Sequence, residues 1–169
     1  QADLSQPDSF NRITQETLSA FGPVDVLVNN AGIGQAAIKP NQRMSPIRFW
    51  ETTPEQWWRF VTINAAGPIL LTHAVVPHMI KAGRGRVITV TTSLGTMVRE
   101  GYLLYGSSKA CAESAMAVLA ADLKGTGVTS NVLVPGGVTD TPLVGEGGDR
   151  ARMLRPEIMV PPLLYLVSD

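Results

Sequence analysis

The chain has 169 residues, 44% of them hydrophobic, and its 14 basic residues are balanced by 14 acidic ones. This size and composition predict one globular domain with its own core and exclude a disordered chain. Because no basic excess or basic stripe is present, nucleic acid and anionic membranes are not expected as partners. The single cysteine, Cys111, excludes an internal disulfide and fits a reducing, cytoplasmic location.

The first half of the chain predicts a helix, a strand and a second helix. Residues 5–22 form an amphipathic pattern, with Pro7 suited to the first turn and an apolar face made of Phe10, Ile13, Thr17, Leu18 and Phe21. Residues 24–28 predict a short buried strand that ends at the sequence NNAG, residues 29–32. After a polar segment, TPEQ at 53–56 has the pattern of a capping box and predicts a helix to about residue 81.

The second half continues the same alternation. RVITV at 86–90 predicts a second strand that ends at TTS, residues 91–93. A helix over 103–124 and a third strand over 128–134 follow, and a last helix opens at PPLLYLVSD, residues 161–169. Short apolar strands that alternate with helices indicate an α/β fold, a doubly wound, Rossmann-like parallel sheet with helices on both faces. Ligands of such sheets bind outside the carboxyl ends of the strands.

Neither a membrane span nor a metal site is expected from the most apolar run, residues 65–80. The run is too short to span a bilayer and is broken by two prolines and two histidines. His73 and His78 have no cysteine or carboxylate at the spacing of a metal site, so neither is predicted to be a ligand.

Tyr105 and Lys109 are four residues apart on a predicted helix, so their side chains are neighbours on one face. A cation about 5 Å from a phenol, at an effective dielectric constant of about 20, lowers the phenol's pKa by roughly two units. A phenol shifted in this way can donate and accept a proton near neutral pH. The alternative is an exposed tyrosine followed by a solvated lysine.

Two further polar features lie where they could join this pair. Thr91, Thr92 and Ser93 follow the second strand, where a hydroxyl could hydrogen-bond a substrate oxygen, or they are ordinary strand-end residues. Asn64 falls on an apolar helix stripe, where its amide group needs hydrogen-bond partners. It could bond a carbonyl freed by Pro68, or hold a water that links Lys109 to solvent.

Five motifs occur in a fixed order along the chain: NNAG after a strand, a central-helix asparagine, a hydroxyl cluster, YGSSK at 105–109 and a Pro-Gly turn at 135–136. With these motifs the chain resembles the short-chain dehydrogenases/reductases, in the branch that carries NNAG, from residue 2 to its end. The resemblance implies hydride transfer between NAD or NADP and an alcohol or ketone substrate.

The resemblance also implies roles for individual residues. Tyr105 would be the general acid/base, assisted by Lys109, and Asn64 would hold the relay water. The predicted cofactor-binding residues are Asp3, Leu4, Asn30, Ala31, Gly32, Tyr105, Lys109, Pro135, Gly136, Val138 and Thr141. Of these, Asp3 and Leu4 would meet the adenine. The helices at 54–81 and 103–121 would form the interface of a homo-dimer or homo-tetramer of the full-length protein.

Three departures from the family pattern bear on function. The position of the family's catalytic serine, thirteen residues before the tyrosine, is Thr92, and Ser93 comes one residue late; Thr92 is slightly favoured. The threonine expected after the Pro-Gly turn is Thr139 or, with the better match, Thr141. No Gly-rich turn precedes the first strand, so two strand–helix units of roughly 60 residues and the last strand are expected to lie outside this chain.

These departures leave competing functions. An oxidoreductase is the leading interpretation, acting as a single Rossmann-type domain over residues 1–169, truncated at both ends. The alternative is a non-catalytic Rossmann-type scaffold or partner subunit, because the phosphate-binding turn is not in the sequence. An epimerase or dehydratase of the same superfamily is the third possibility, against which NNAG argues.

Overall fold

The computed structural model describes residues 2–4, 6 and 8–168. Within them a parallel three-stranded sheet has the order β1-β2-β3, with β1 at Val26–Asn29, β2 at Gly85–Val90 and β3 at Val128–Leu133. Val26 pairs with Arg86, and Gly85 pairs with Val128. The predicted Rossmann-like α/β fold is confirmed, and the three strands end at a common edge.

Six helices accompany the sheet in the described residues: α1 at Ser9–Phe21, α2 at Pro54–Val61, α3 at Gly67–Ala82, α4 at Leu94–Met97, α5 at Leu103–Asp122 and α6 at Val160–Val167. Short 3₁₀ turns lie at Gln35–Ala37, Phe49–Glu51, Pro142–Val144, Arg150–Arg152 and Pro156–Met159. Ser5, Pro7 and Asp169, which belong to predicted helices, lie outside the described residues.

The main core lies where α3 and α5 pack on β2 and β3. Its buried side chains are Val75, Val76, Met79, Val87, Met116, Leu123 and Val128. Gly85 opens β2 against α3, and a Cβ there would lie 2.6 Å from Met79 Sδ. A side chain at that position would push α3 away from the sheet, so the glycine permits the close approach of helix and strand.

One prediction about the helices was wrong, and one short helix was missed. Phe21 was expected on the buried face of α1, but it is 86% exposed. Helix α1 packs on α3 through its earlier turns, where Phe10 and Thr14 are buried, and its last turn carries Phe21 beyond that contact. The short helix α4 was not predicted; Ser93 caps it by accepting a hydrogen bond from Thr96 N.

The helix predicted from Pro54 is continuous but irregular. Thr53 and Gln56 form the predicted capping box, and a π-helical turn at Thr62–Ala66 joins α2 to α3. The turn lies just before Pro68. In a regular α-helix the proline ring would clash with the carbonyl group four residues earlier. By length and hydropathy alone, the 29-residue segment Pro54–Ala82 could cross a membrane, unlike the shorter run considered above. It packs on α5 and β2 here, as a core helix does.

Candidate active site

A cavity of about 830 Å³ opens at the carboxyl ends of the three strands. The loop after each strand contributes to its wall: residues 30–32 after β1, 91–93 after β2 and 134–139 after β3. Tyr105 and Lys109 of α5 also line it. The structure therefore brings the three predicted loops and the YGSSK helix to one cavity, of a size typical for a small-molecule site.

Tyr105 is buried, with 8% of its surface exposed, in a cluster with Phe60 and Leu104. Burial raises the pKa of its phenol above the usual value, and a hydrogen bond with the Thr92 side chain opposes that rise. Because burial dominates, the phenol is protonated at neutral pH. Its hydroxyl partner in this structure is Thr92.

The hydroxyl groups of Thr91, Thr92 and Ser93 point in different directions and have different partners. Thr91 is buried and donates to Glu113 Oε2 at 2.7 Å. Ser93 is exposed, and its Oγ accepts from Thr96 N at 3.3 Å as the cap of α4. Adjacent residues in extended backbone face opposite ways, so only Thr92 of the three is directed at Tyr105.

Lys109 is 5% exposed and donates from Nζ to the carbonyl of Val90 at 2.8 Å. Burial lowers the pKa of its ammonium from the usual value to about 8. The prediction that Lys109 depresses the phenol's pKa is not met in this structure. Burial governs the pKa of Tyr105, and the ammonium is turned toward the end of β2 and toward Gly32, whose added Cβ would lie 3.5 Å from Nζ.

The lowered pKa of Lys109 predicts a stability that rises with pH. The folded chain loses this proton near pH 8 and the unfolded chain near its ordinary value, about 10.4. Between them the unfolded state binds more protons, so the free energy of unfolding increases by about 2 kcal/mol from about pH 7.5 to about pH 10. Denaturant unfolding of the native protein and Lys109→Met measures the difference.

Lys109→Met is expected to lack this rise, because the titrating group is gone. Lys124→Met, which removes an exposed lysine just beyond α5, is the matched control and should keep it. If the free energy of unfolding has the same pH dependence in the native protein and in Lys109→Met, burial does not lower the pKa of Lys109.

Asn64 lies in the π-helical turn and is fully buried. Its Oδ1 accepts from Ile33 N at 2.8 Å, and its Nδ2 donates to Ile33 O at 2.9 Å and to Ser108 Oγ at 3.1 Å. Both protons of the amide are therefore used. Asn64 thereby ties the loop after β1 to α5. The relay water predicted for it stays a prediction.

The predicted cofactor-binding residues divide into two groups. Those that line the cavity are Asn30, Ala31, Gly32, Tyr105, Lys109, Pro135, Gly136, Val138 and Thr141. Thr139 lines it as well, so both candidate threonines are at the site. Asp3 and Leu4 lie apart: Asp3 borders a shallow depression with Ala2 and Arg12, and Leu4 is next to Gly67. Their predicted adenine contact stays a prediction.

Six polar lining residues were not foreseen: Gln35, Gln42, Arg43, Thr96, Arg99 and Tyr102. Gln35 is buried between two loops, donates to the carbonyl of Gly101 and accepts from Tyr105 N at 3.5 Å. Tyr102 packs edge-on against Tyr105, with ring centroids 6.4 Å apart. The spacing of Tyr102, one turn before Tyr105, could have indicated it. The others lie in the polar segment after NNAG or between TTS and YGSSK, and neither segment has a periodic pattern that singles them out.

The family assignment follows from comparison with known proteins. The model of the short chain dehydrogenase family matches residues 1–151, which is most of the chain. The chain belongs to the short-chain dehydrogenase family. The resemblance inferred from the motifs is thus confirmed.

Among curated relatives of this short-chain dehydrogenase chain, a short chain dehydrogenase of Pseudocercospora fijiensis is 38% identical over 136 residues. That match covers 80% of this chain and 41% of the relative. A 3-oxoacyl-[acyl-carrier-protein] reductase of Synechocystis is 32% identical, with 80% of this chain and 51% of the relative covered. The chain therefore spans about half the length of these relatives.

Solved structures agree with the family. A metagenomic short-chain oxidoreductase in complex with NADP superposes with a TM-score of 0.76 at 26% identity, over 99% of this chain and 66% of that one. A gluconate 5-dehydrogenase from Burkholderia cenocepacia, in complex with NADP and tartrate, gives a TM-score of 0.72 at 25% identity, over 84% and 51%.

Proposed function

We propose that the full-length protein is an oxidoreductase that transfers a hydride between NAD or NADP and an alcohol or carbonyl substrate at this cavity. The observation that carries the proposal is the pairing of the buried Tyr105 phenol with the Thr92 hydroxyl at the strand ends, one helical turn from the Lys109 ammonium. An acid/base group beside a hydroxyl donor is what carbonyl reduction requires.

The residues opposite the phenol fit a flat cofactor. Gly136 lines the cavity, and nothing lies within 4 Å of the place where its Cβ would be. A planar ring can therefore approach the backbone closely at this edge. Gly32 lines the cavity as well, but a Cβ there would lie 3.0 Å from Asn64 Oδ1, so this glycine permits the packing of the loop on Asn64. The loops at 30–32 and 135–138 would hold reduced NAD or NADP, which would supply the hydride for the carbonyl carbon. NADP is the form found in the two structural neighbours described above.

In the reduction, Tyr105 donates its phenolic proton to the carbonyl oxygen, which becomes the alcohol hydroxyl. The Thr92 hydroxyl donates a hydrogen bond to that oxygen as negative charge develops on it. The phenolate regains a proton from solvent, and alcohol oxidation runs the same transfers in reverse. Burial keeps the phenol protonated at neutral pH, which is the form that can donate a proton.

Lys109 fixes the end of β2 through Val90 and presents its ammonium beside Gly32, where it would hold hydroxyl groups of the cofactor. Asn64 is a positioning residue: its amide group holds Ile33 and Ser108 in place through hydrogen bonds. Homo-oligomer formation through the helices at 54–81 and 103–121 and a cytoplasmic location stay predictions.

The two candidate hydroxyls are expected to differ in effect. Thr92→Val should lower kcat for carbonyl reduction by about 10²-fold, because it removes the hydroxyl that faces the reacting oxygen and keeps the shape of the side chain. Ser93→Ala should lower kcat less than about threefold and cost about 1 kcal/mol of stability through the lost cap of α4. Steady-state kinetics and thermal unfolding of both variants check this.

The proposal itself is tested by following the oxidation of NADPH and of NADH by the full-length protein with a panel of aldehydes, ketones and 3-oxoacyl thioesters. Reduction of at least one class with release of the alcohol is expected. Tight binding of dinucleotide without any turnover across the panel would favour a scaffold or partner subunit instead.

A further inference from the structure

The cavity has a strongly one-sided charge. Three cationic side chains line it, those of Arg43, Arg99 and Lys109, and no carboxylate does so among the residues that the structure describes. The chain as a whole has no net charge. A cleft lined by one sign of charge concentrates ligands of the other sign.

The two cavity arginines differ from most of the others because neither forms an ion pair with a described acidic side chain. Arg12, Arg48, Arg84, Arg150 and Arg152 each form an ion pair with an acidic side chain. No described carboxylate pairs with Arg43 or Arg99. Arg43 is half-buried and Arg99 is exposed at the mouth of the cavity. A guanidinium binds a carboxylate or phosphate through two parallel hydrogen bonds.

Arg99 is tied to the reacting phenol through Tyr102. Its Cζ lies 5.7 Å from the centre of the Tyr102 ring, a cation–π contact. The Tyr102 ring in turn lies 6.4 Å from that of Tyr105. The distance from the Arg99 guanidinium carbon to the centre of the Tyr105 ring is therefore no longer than these two distances together. A substrate with a few carbons between its carbonyl and its anionic end can bridge that distance.

Arg43 sits on the same wall, beside a buried amide. Gln42, 4% exposed, donates from Nε2 to Tyr102 Oη at 3.3 Å, and its Oε1 has no partner in the described part of the chain. A buried acceptor without a donor destabilises the folded chain until a ligand or a water supplies one. Turning the amide over would leave the amino group unpaired instead. A ligand hydroxyl can donate or accept and would satisfy either orientation.

We propose that the substrate carries an anionic group, a carboxylate or a phosphate, which Arg43 and Arg99 hold while the carbonyl or alcohol carbon lies at Tyr105. The inference rests on the proposed function for the reacting end of the substrate. The anion site is inferred from the two cavity arginines and does not depend on the proposed function. A hydroxyl near the anionic end would pair with Gln42.

Binding is measured first, because it needs no turnover. Glutarate, a dicarboxylate that cannot be reduced, is expected to raise the melting temperature of the full-length protein, and its neutral diamide is not. The Arg43→Gln/Arg99→Gln double variant should lose that shift. Arg59→Gln, which removes an exposed arginine of α2 outside the cavity, should keep it. No shift in the native protein, or an equal shift in the double variant, overturns the proposal.

Turnover gives the second test. Between 4-oxopentanoate and its methyl ester, the native protein is expected to prefer the acid by about tenfold or more in kcat/KM, since the ester cannot form charge-assisted hydrogen bonds with the two guanidinium groups. The double variant should lose the preference through KM. A native preference for the ester overturns the anion site. Glutarate binding through the arginines without any reduction supports that site and counts against the proposed function.

A third measurement separates substrate from cofactor. The double variant is expected to bind NADP within about threefold of the native affinity, because a contact outside the cofactor's footprint leaves its binding free energy almost unchanged. A loss of about tenfold or more would assign the two arginines to a cofactor phosphate and overturn the proposal.

Discussion

Replacing Tyr105 by phenylalanine in the full-length protein is expected to lower kcat for carbonyl reduction by about 10²–10⁴-fold. The variant keeps the ring that packs against Phe60 and Leu104 and removes only the hydroxyl that gives the proton. The fold should be retained, because the phenol's polar partner is the side chain of Thr92 and the backbone bonds of α5 are untouched. The measurement is steady-state kinetics beside a fluorescence titration with NADPH.

The titration separates chemistry from binding, since a general acid acts on kcat and leaves cofactor affinity within about threefold. Tyr165→Phe, which removes a hydroxyl from an exposed tyrosine of α6, is the matched control and should turn over normally. Near-normal turnover by Tyr105→Phe would show that another group supplies the proton.

Asn64→Ala is expected to have the largest effect on stability, lowering the free energy of unfolding by about 3 kcal/mol. The amide satisfies both backbone groups of Ile33 and the hydroxyl of Ser108 in a fully buried place, and each group left unpaired costs about 1–3 kcal/mol. For a chain of this size the melting temperature should fall by roughly 6–12 °C. Differential scanning calorimetry measures both quantities.

Asn11→Ala, at an exposed position of α1, provides the comparison and should change stability by less than about 0.5 kcal/mol. Ser108→Ala should cost less than Asn64→Ala, because it frees only one of the amide's bonds. A loss of under about 1 kcal/mol in Asn64→Ala would mean that the loop after β1 does not depend on this amide.

The order of strands and helices could be predicted from the sequence because each strand is a short apolar run that ends in small or hydroxyl residues. The capping box at Thr53 likewise fixed the start of α2. Phe21 could not be placed correctly, because its exposure depends on how far α3 extends beside α1. The π-helical turn was not predicted, although Pro68 marked the point of irregularity.

The candidate site was predictable where a motif specifies a position on an element. Tyr105, Lys109 and the loops at 30–32 and 135–138 were placed correctly at one cavity because all lie at strand ends or one helical turn apart. The direction of the phenol's pKa was not predictable, because burial is a tertiary property and outweighs a neighbouring cation that points elsewhere. Gln42, Arg43 and Arg99 come from segments without periodicity, so only the fold brings them to the cavity wall.

The most direct measurement is the transfer of deuterium from NADPH, labelled at the transferable position of its nicotinamide ring, to a ketone substrate in the full-length protein. We expect the native enzyme to give an alcohol with deuterium on the former carbonyl carbon. Tyr105→Phe should bind the same NADPH and give about 10²-fold less labelled product. Equal labelling by the native protein and Tyr105→Phe, or no labelling by a native protein that binds the cofactor, would contradict the assignment of this cavity as the site of hydride transfer.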